Sequence, residues 1–120
     1  MQTRALGASG LQVSELGLGC NNFGGTLDET ATRAAVGAAL DAGINFFDTA
    51  NVYGNRGGSE TLLGKILGTR RQDVIIATAF GSIMQDGERR NASRRYITQA
   101  VEASLMRLMP WIDASSRYRG

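Results

Sequence analysis

The chain has 120 residues, 42% of them hydrophobic and 20% charged, with 13 basic side chains against 11 acidic ones and no histidine. This is ordinary composition for one modest globular domain, excludes disorder as a description of the whole, and leaves a net charge of +2 that is too small to point to nucleic acid. The missing histidine removes Ser-His-Asp triads, Cys-His pairs and histidine-based metal sites, so no metal is expected.

Cys20 is the single cysteine, so no disulfide can close within the chain and a reducing, cytoplasmic setting is favoured. The first residues carry no apolar signal core, and nowhere do about 18 apolar residues follow one another, so neither secretion nor a membrane is expected.

In chain order, Arg4-Ala5-Leu6 and Leu11-Gln12-Val13 read as a hairpin around Gly7-Ala8-Ser9-Gly10. A short strand, Glu15-Leu16-Gly17-Leu18, then runs into a polar loop from Gly19 to Gly25. Thr26-Leu27-Asp28-Glu29 has the spacing of a capping box, and Ala31, Ala34, Ala35, Ala38, Ala39 and Leu40 recur at helical intervals, which predicts a helix to Asp41 with Gly43 as its stop. Ile44-Asn45-Phe46-Phe47 is the next strand, ending at Asp48. Ser59-Glu60 opens a second helix with Leu62, Leu63, Ile66 and Leu67 inward and Gly68 as its left-handed end.

Val74-Ile75-Ile76 is a β-branched run, too short for a helix, that leaves through Thr78 and Gly81. In the polar loop Ser82 to Asn91, Asp86-Gly87 marks a turn and Glu88 balances the neighbouring arginines. Ser93 caps a third helix carrying Ile97, Val101, Leu105 and Leu108 on one face, and Pro110 stops it before a fourth strand beginning at Trp111-Ile112. Strand and helix alternating in this way predict parallel strands with helices packed outside.

Two glycine motifs fail on inspection. Gly17-Leu18-Gly19-Cys20-Asn21-Asn22 lacks the third glycine of a dinucleotide fingerprint, and its helix starts too late to hold a pyrophosphate. Between Gly58 and Gly64-Lys65 lie five residues where a phosphate loop needs four, and Ile66 replaces the hydroxyl that would bind a metal. The segment Asp48-Thr49-Ala50-Asn51-Val52-Tyr53-Gly54 is different: it puts a carboxylate at a strand end and a phenol in the following loop, where parallel α/β proteins build ligand chemistry. Spacing alone leaves a second reading open, in which Asp48 caps local N–H groups and Tyr53 packs at the surface.

Longer matches bear on that choice. The stretches from Gly7 to Gly19 and from Ala42 through Asp48-Thr49-Ala50-Asn51-Val52-Tyr53 to Gly54, followed by Ser59-Glu60 and Leu63-Gly64, resemble the aldo-keto reductase family. The likeness runs over residues 3–113 and is greatest to the bacterial branch that is similar to the potassium-channel β subunits.

This resemblance implies an α/β fold, the N-terminal portion of a (β/α)8 TIM barrel: a hairpin closing the bottom, then three to four βα units, with the barrel incomplete. Residues 1–113 would form the partial barrel and 114–120 a divergent tail. It implies an oxidoreductase that reduces a small-molecule aldehyde or ketone with NADPH, Tyr53 giving the proton and Asp48 its charged neighbour, with Gly19, Cys20, Asn21 and Asp48 near the nicotinamide ribose.

A lysine and a histidine complete the family's site. An ammonium beside a phenol favours the phenolate and lets the phenol share developing charge on the carbonyl oxygen. Here Ala79 stands in the lysine's place and can do neither, and Tyr118 falls where the histidine belongs. Residues Ala114 to Gly120 are small, polar and basic where a buried parallel strand is apolar. The expectation is therefore a truncated oxidoreductase, inactive alone. A different class of function is a non-catalytic binding protein that self-associates through open sheet edges.

Overall fold

A computed structural model describes residues 1–111; the expected continuation of a fourth strand from Ile112, the tail 114–120 and Tyr118 lie outside the described residues. The hairpin forms one residue out from its predicted bounds, with β1 (Thr3–Ala5) antiparallel to β2 (Gln12–Ser14) and Arg4 opposite Val13. Its loop closes through Leu6 N to Leu11 O at 3.0 Å.

The predicted alternation is observed. β3 (Leu18–Gly19), β4 (Phe46–Asp48) and β5 (Ile75–Ala77) form a parallel sheet in that order, followed respectively by α1 (Glu29–Asp41), α2 (Tyr53–Leu67) and α3 (Arg94–Leu108), with a 3-10 segment (Gly68–Asp73) between α2 and β5. The sheet is open, and the described residues make no closed barrel: the chain is an α/β fragment consistent with part of one. Its core lies between sheet and helices, where Phe47, Val36 and Leu63 are fully buried against Phe23, Leu67, Val74 and Leu108.

Several local expectations shift for identifiable reasons. The cap of α1 is Asp28, whose carboxylate accepts from Ala31 N at 2.9 Å, rather than Thr26. The carboxylate sits immediately before the first turn, where it reaches a free N–H group that the hydroxyl two residues upstream does not. The inward face of α1 is Thr32, Val36 and Ala39, while Ala34 and Ala38 face solvent, because alanine marks helix propensity more than burial. Strand β3 begins only at Leu18, since Leu16 is exposed. Asn45 stays outside β4 and spends its side chain on the hairpin, accepting from Ser14 N and donating to Gln12 O.

Ser93 does cap α3, and Asp86-Gly87 does form a turn, closed by Glu88 N to Gln85 O. Glu88 itself accepts from Met84 N and Gln85 N instead of meeting the arginines; the ion pair in that region is Asp86 with Arg56 at 2.9 Å.

The face of α3 is also rotated from its predicted stripe. Ala100, Ser104 and Leu108 are buried, whereas Ile97 is 37% and Val101 48% exposed. The cause is the closeness of α2: a Cβ on Gly64 would collide with the Arg107 carbonyl, so the two backbones meet where only small residues fit.

The start of α2 departs furthest from expectation. Tyr53 stands at its first position, but Gly54, Asn55, Arg56 and Gly57 all have positive φ (71°, 59°, 66° and 132°), a left-handed turn before the regular helix. L-residues enter that region at a cost of about 1–2 kcal/mol each, so surrounding contacts must hold it. They do: the 22–27 loop packs on the turn through glycines, and a Cβ on Gly54 would strike Phe23 O and Ser59 N.

Gly54→Ala is therefore expected to lose about 2 kcal/mol or more. By contrast Gly37→Ala, within α1 and with open space around the new methyl, should gain about 0.5–1 kcal/mol. Urea unfolding of the two variants measures both.

Candidate functional site

The site is assembled at the C-terminal ends of the three parallel strands. Gly19 pairs with Asp48 and Asp48 with Ala77, and the ladder continues past the strands through Cys20 N to Asp48 O (2.9 Å), Thr49 N to Ala77 O (2.8 Å) and Asn51 N to Ala79 O (2.9 Å). These bonds bring Gly19, Cys20, Asp48 and Ala79 to one edge of the sheet. Tyr53 follows directly, its N–H donating to Ala50 O at 3.3 Å, at the foot of the left-handed turn.

Strand alternation sorts the side chains. Phe47 and Thr49 are buried toward the helices, so Asp48 between them is exposed on the other face, which its ladder partner Ala77 shares. Gly19, Asn21 and Ala79 are exposed and Tyr53 is half-buried. Beside them a cleft of about 340 Å³ runs along the open face, lined by Gly17, Leu18, Gly19, Phe46 and Asp48 and closed below by the hairpin.

Cys20 turns the other way. It has no exposed surface, its thiol lies 3.4 Å from Leu18 O, its N–H is given to Asp48 and its carbonyl accepts from Ser59. Burial pushes its thiol up to about 12; the hydrogen bond from its backbone partner Asp48 opposes this shift and the Asp48 charge adds to it. Cys20 thus shapes the site by fixing the end of β3.

Behind the exposed face, two consecutive α2 residues tie the strand ends together. Ser59 Oγ donates to Cys20 O at 2.9 Å, and because that uses its one proton it accepts from Thr49 Oγ1 at 2.8 Å. Glu60, with no exposed surface, accepts from Thr78 Oγ1 at 2.6 Å on one oxygen and from Arg107 Nε at 2.6 Å on the other. Asn51 is also buried on this side, its Oδ1 without a partner among the described residues.

From the sequence Ser59-Glu60 reads as a helix start, Thr49 as part of the Asp48 segment and Thr78 as a strand exit, with no bonding role evident for them or for Arg107. A signal was present: Glu60 is three and seven residues before Leu63 and Leu67, a carboxylate on an apolar stripe. Such a residue needs a buried partner. Among the described residues no cluster of three or more histidine, cysteine or acidic side chains is placed to hold a metal ion.

Comparison with known proteins agrees with this arrangement. The profile of the Aldo/keto reductase family matches residues 15–110. An uncharacterised oxidoreductase of Bacillus subtilis (strain 168) is 39% identical over 111 residues, covering 90% of this chain and 35% of the relative. A probable voltage-gated potassium channel subunit beta of Oryza sativa subsp. japonica is 41% identical over 118 residues, covering 94% of this chain and 36% of the relative. Among solved structures, an aldo-keto reductase from Bacillus halodurans in holo form superposes with a TM-score of 0.81 at 46% identity, covering 90% of this chain and 36% of that one. The chain thus spans little more than a third of the length of these relatives.

Two outcomes follow from the buried groups. The folded Cys20 thiol keeps its proton up to about pH 12 while the unfolded one loses it near 9.0, so between those values the unfolded state binds fewer protons and stability falls as pH rises. Relative to Cys20→Ala, the unmodified chain should lose about 1.4 kcal/mol per pH unit across that window in urea melts. Arg107→Met strands the buried Glu60 charge and should cost about 3–5 kcal/mol, with Glu60→Leu/Arg107→Met costing much less.

Proposed function

The chain belongs to the aldo/keto reductase family, and from that premise we propose that its strand-end site is built for NADPH-dependent reduction of an aldehyde or ketone to an alcohol. The observation that carries this reading is the convergence of Gly19, Asp48, the Tyr53 turn and position 79 on one edge of the parallel sheet. Relatives named as oxidoreductases, and a structural relative in holo form, support redox chemistry with a bound cofactor.

The residues present fit the nicotinamide end of such a cofactor. Gly19 leaves the sheet edge free of a side chain, while the exposed Asp48 carboxylate and Asn21 amide offer partners for ribose hydroxyls. When bound, a reduced nicotinamide supplies the hydride. This chain's part is to orient the carbonyl and move a proton: the Tyr53 hydroxyl donates to the carbonyl oxygen as charge develops there, with Asp48 as the fixed charge nearby.

Ala79 supplies no ammonium to that phenol, and the chain has no histidine to hydrogen-bond the carbonyl. On this reading the 120 residues alone are catalytically impaired by about 10²- to 10⁴-fold. The protein acts in the cytoplasm on a small-molecule carbonyl, with residues 1–113 as the barrel-like part and 114–120 divergent. Among the described residues no helix is long and apolar enough to cross a membrane.

A second reading, non-catalytic self-association, is favoured by the edge of β5, which pairs with no further strand among the described residues. There the exposed Phe80 and Val101 help line a shallow apolar cleft of about 90 Å³ between the strand end and α3. An uncovered strand edge with apolar flanks pairs readily with another chain.

Following NADPH absorbance with a simple aldehyde tests the catalytic reading. The unmodified chain should show negligible turnover, Ala79→Lys should raise it by up to about 10²-fold, and Tyr53→Phe should remove that gain. Turnover by the unmodified chain at an ordinary enzyme rate, or a gain that survives Tyr53→Phe, would contradict it. A monomer at every concentration by light scattering would dispose of self-association.

A further inference from the structure

We propose that Glu60 is a positioning residue: through the Thr78 hydroxyl it holds the end of β5, and with it position 79, against the loop that leads from Asp48 to Tyr53. This rests on the reading of Tyr53 and position 79 as parts of one site.

The strand end beyond Ala77 is outside the regular β5 and is exposed from Thr78 to Phe80. Two bonds tie it down. On the backbone, Ala79 O accepts from Asn51 N at 2.9 Å; on the side chain, Thr78 Oγ1 donates to Glu60 Oε1 at 2.6 Å. The second ties the strand end to both helices, because Glu60 on α2 has no exposed surface and is itself held by Arg107 from α3.

A hydroxyl donating to a buried carboxylate makes a charge-assisted bond, stronger than the neutral amide bond beside it. The geometry makes Glu60 a fixed point shared by three elements: α2 carries it, α3 supplies Arg107 and β5 hangs from it through Thr78. Residue 79 follows Thr78 directly and its carbonyl is bonded to Asn51, in the loop that leaves Asp48. A slip at Thr78 would therefore move position 79 relative to the carboxylate without disturbing the core.

Amide hydrogen exchange on the full chain tests this. Thr78→Val keeps the side-chain shape and deletes the hydroxyl; Thr78→Ser keeps the hydroxyl. The Asn51 amide reports the strand end, and the Cys20 and Ile75 amides, bonded to Asp48 O and Asn45 O, report the rest of the sheet. Thr78→Val is expected to speed Asn51 exchange about ten-fold or more relative to Cys20 and Ile75, with Thr78→Ser staying near the unmodified chain.

Equal acceleration at all three amides would mean a general stability role and would overturn the proposal, as would no change at Asn51. The measurement needs neither cofactor nor carbonyl. Failure of the NADPH assay would thus count against the catalytic reading and leave this result to stand or fall by itself.

Discussion

Burial of the Glu60 carboxylate constrains more of this fold than any other single contact. A fully desolvated charge is tolerated only when it is paired and its remaining lone pairs are filled, and here the partners come from different elements, Arg107 of α3 and Thr78 beyond β5. The demand sets how close α3 must come to α2. That closeness in turn explains why α2 carries Gly64 opposite the Arg107 carbonyl and why α3 presents Ala100 and Ser104 there instead of its larger apolar residues. With Ser59 bonded to Cys20 O and Thr49, one helical step of α2 gathers the ends of all three parallel strands.

The same economy of space acts at the other side of the site. Gly24 and Gly54 let the loop after β3 lie directly on the turn before the regular part of α2, and that contact holds Asn55 and Arg56 in a left-handed conformation they would not choose. Tyr53 is placed by this strained turn and Asp48 by the sheet, so the two candidate catalytic groups are positioned by separate devices. Strain next to a functional side chain is common where a rigid surround can sustain it.

What was legible in the chain and what was not divides along physical lines. The order of strands and helices, the hairpin, the stops at Gly43 and Gly68 and the cap at Ser93 were readable because each rests on local chemistry. Burial faces were less so. Ala34 and Ala38 follow helix periodicity yet face solvent, and Ile97 and Val101 look like core but are exposed. Such faces depend on what packs against a helix, which periodicity does not encode. At the site, Asp48 and Tyr53 stood out by their place at a strand end and in the loop after it, and Ala79 through family likeness, but the clasp was not legible, since Thr49, Thr78 and Arg107 are unremarkable until the fold brings them to Ser59 and Glu60.

Position 79 illustrates how chemistry and architecture can come apart. Its backbone carbonyl is engaged by Asn51, its neighbour Thr78 is anchored to a buried carboxylate, and the residue itself is exposed at the strand end, outside the buried core. Exchanging a lysine for alanine at such a place removes an ammonium and little else: no cavity is left, no buried charge is stranded and no strand bond is broken. A site held from behind by hydroxyls and a carboxylate can therefore change the side chain it presents at position 79 while keeping the framework that presents it. Retention of the Asp48–Tyr53 framework is accordingly a statement about how these strands are held, and the identity of residue 79 is the separate statement about what they can do.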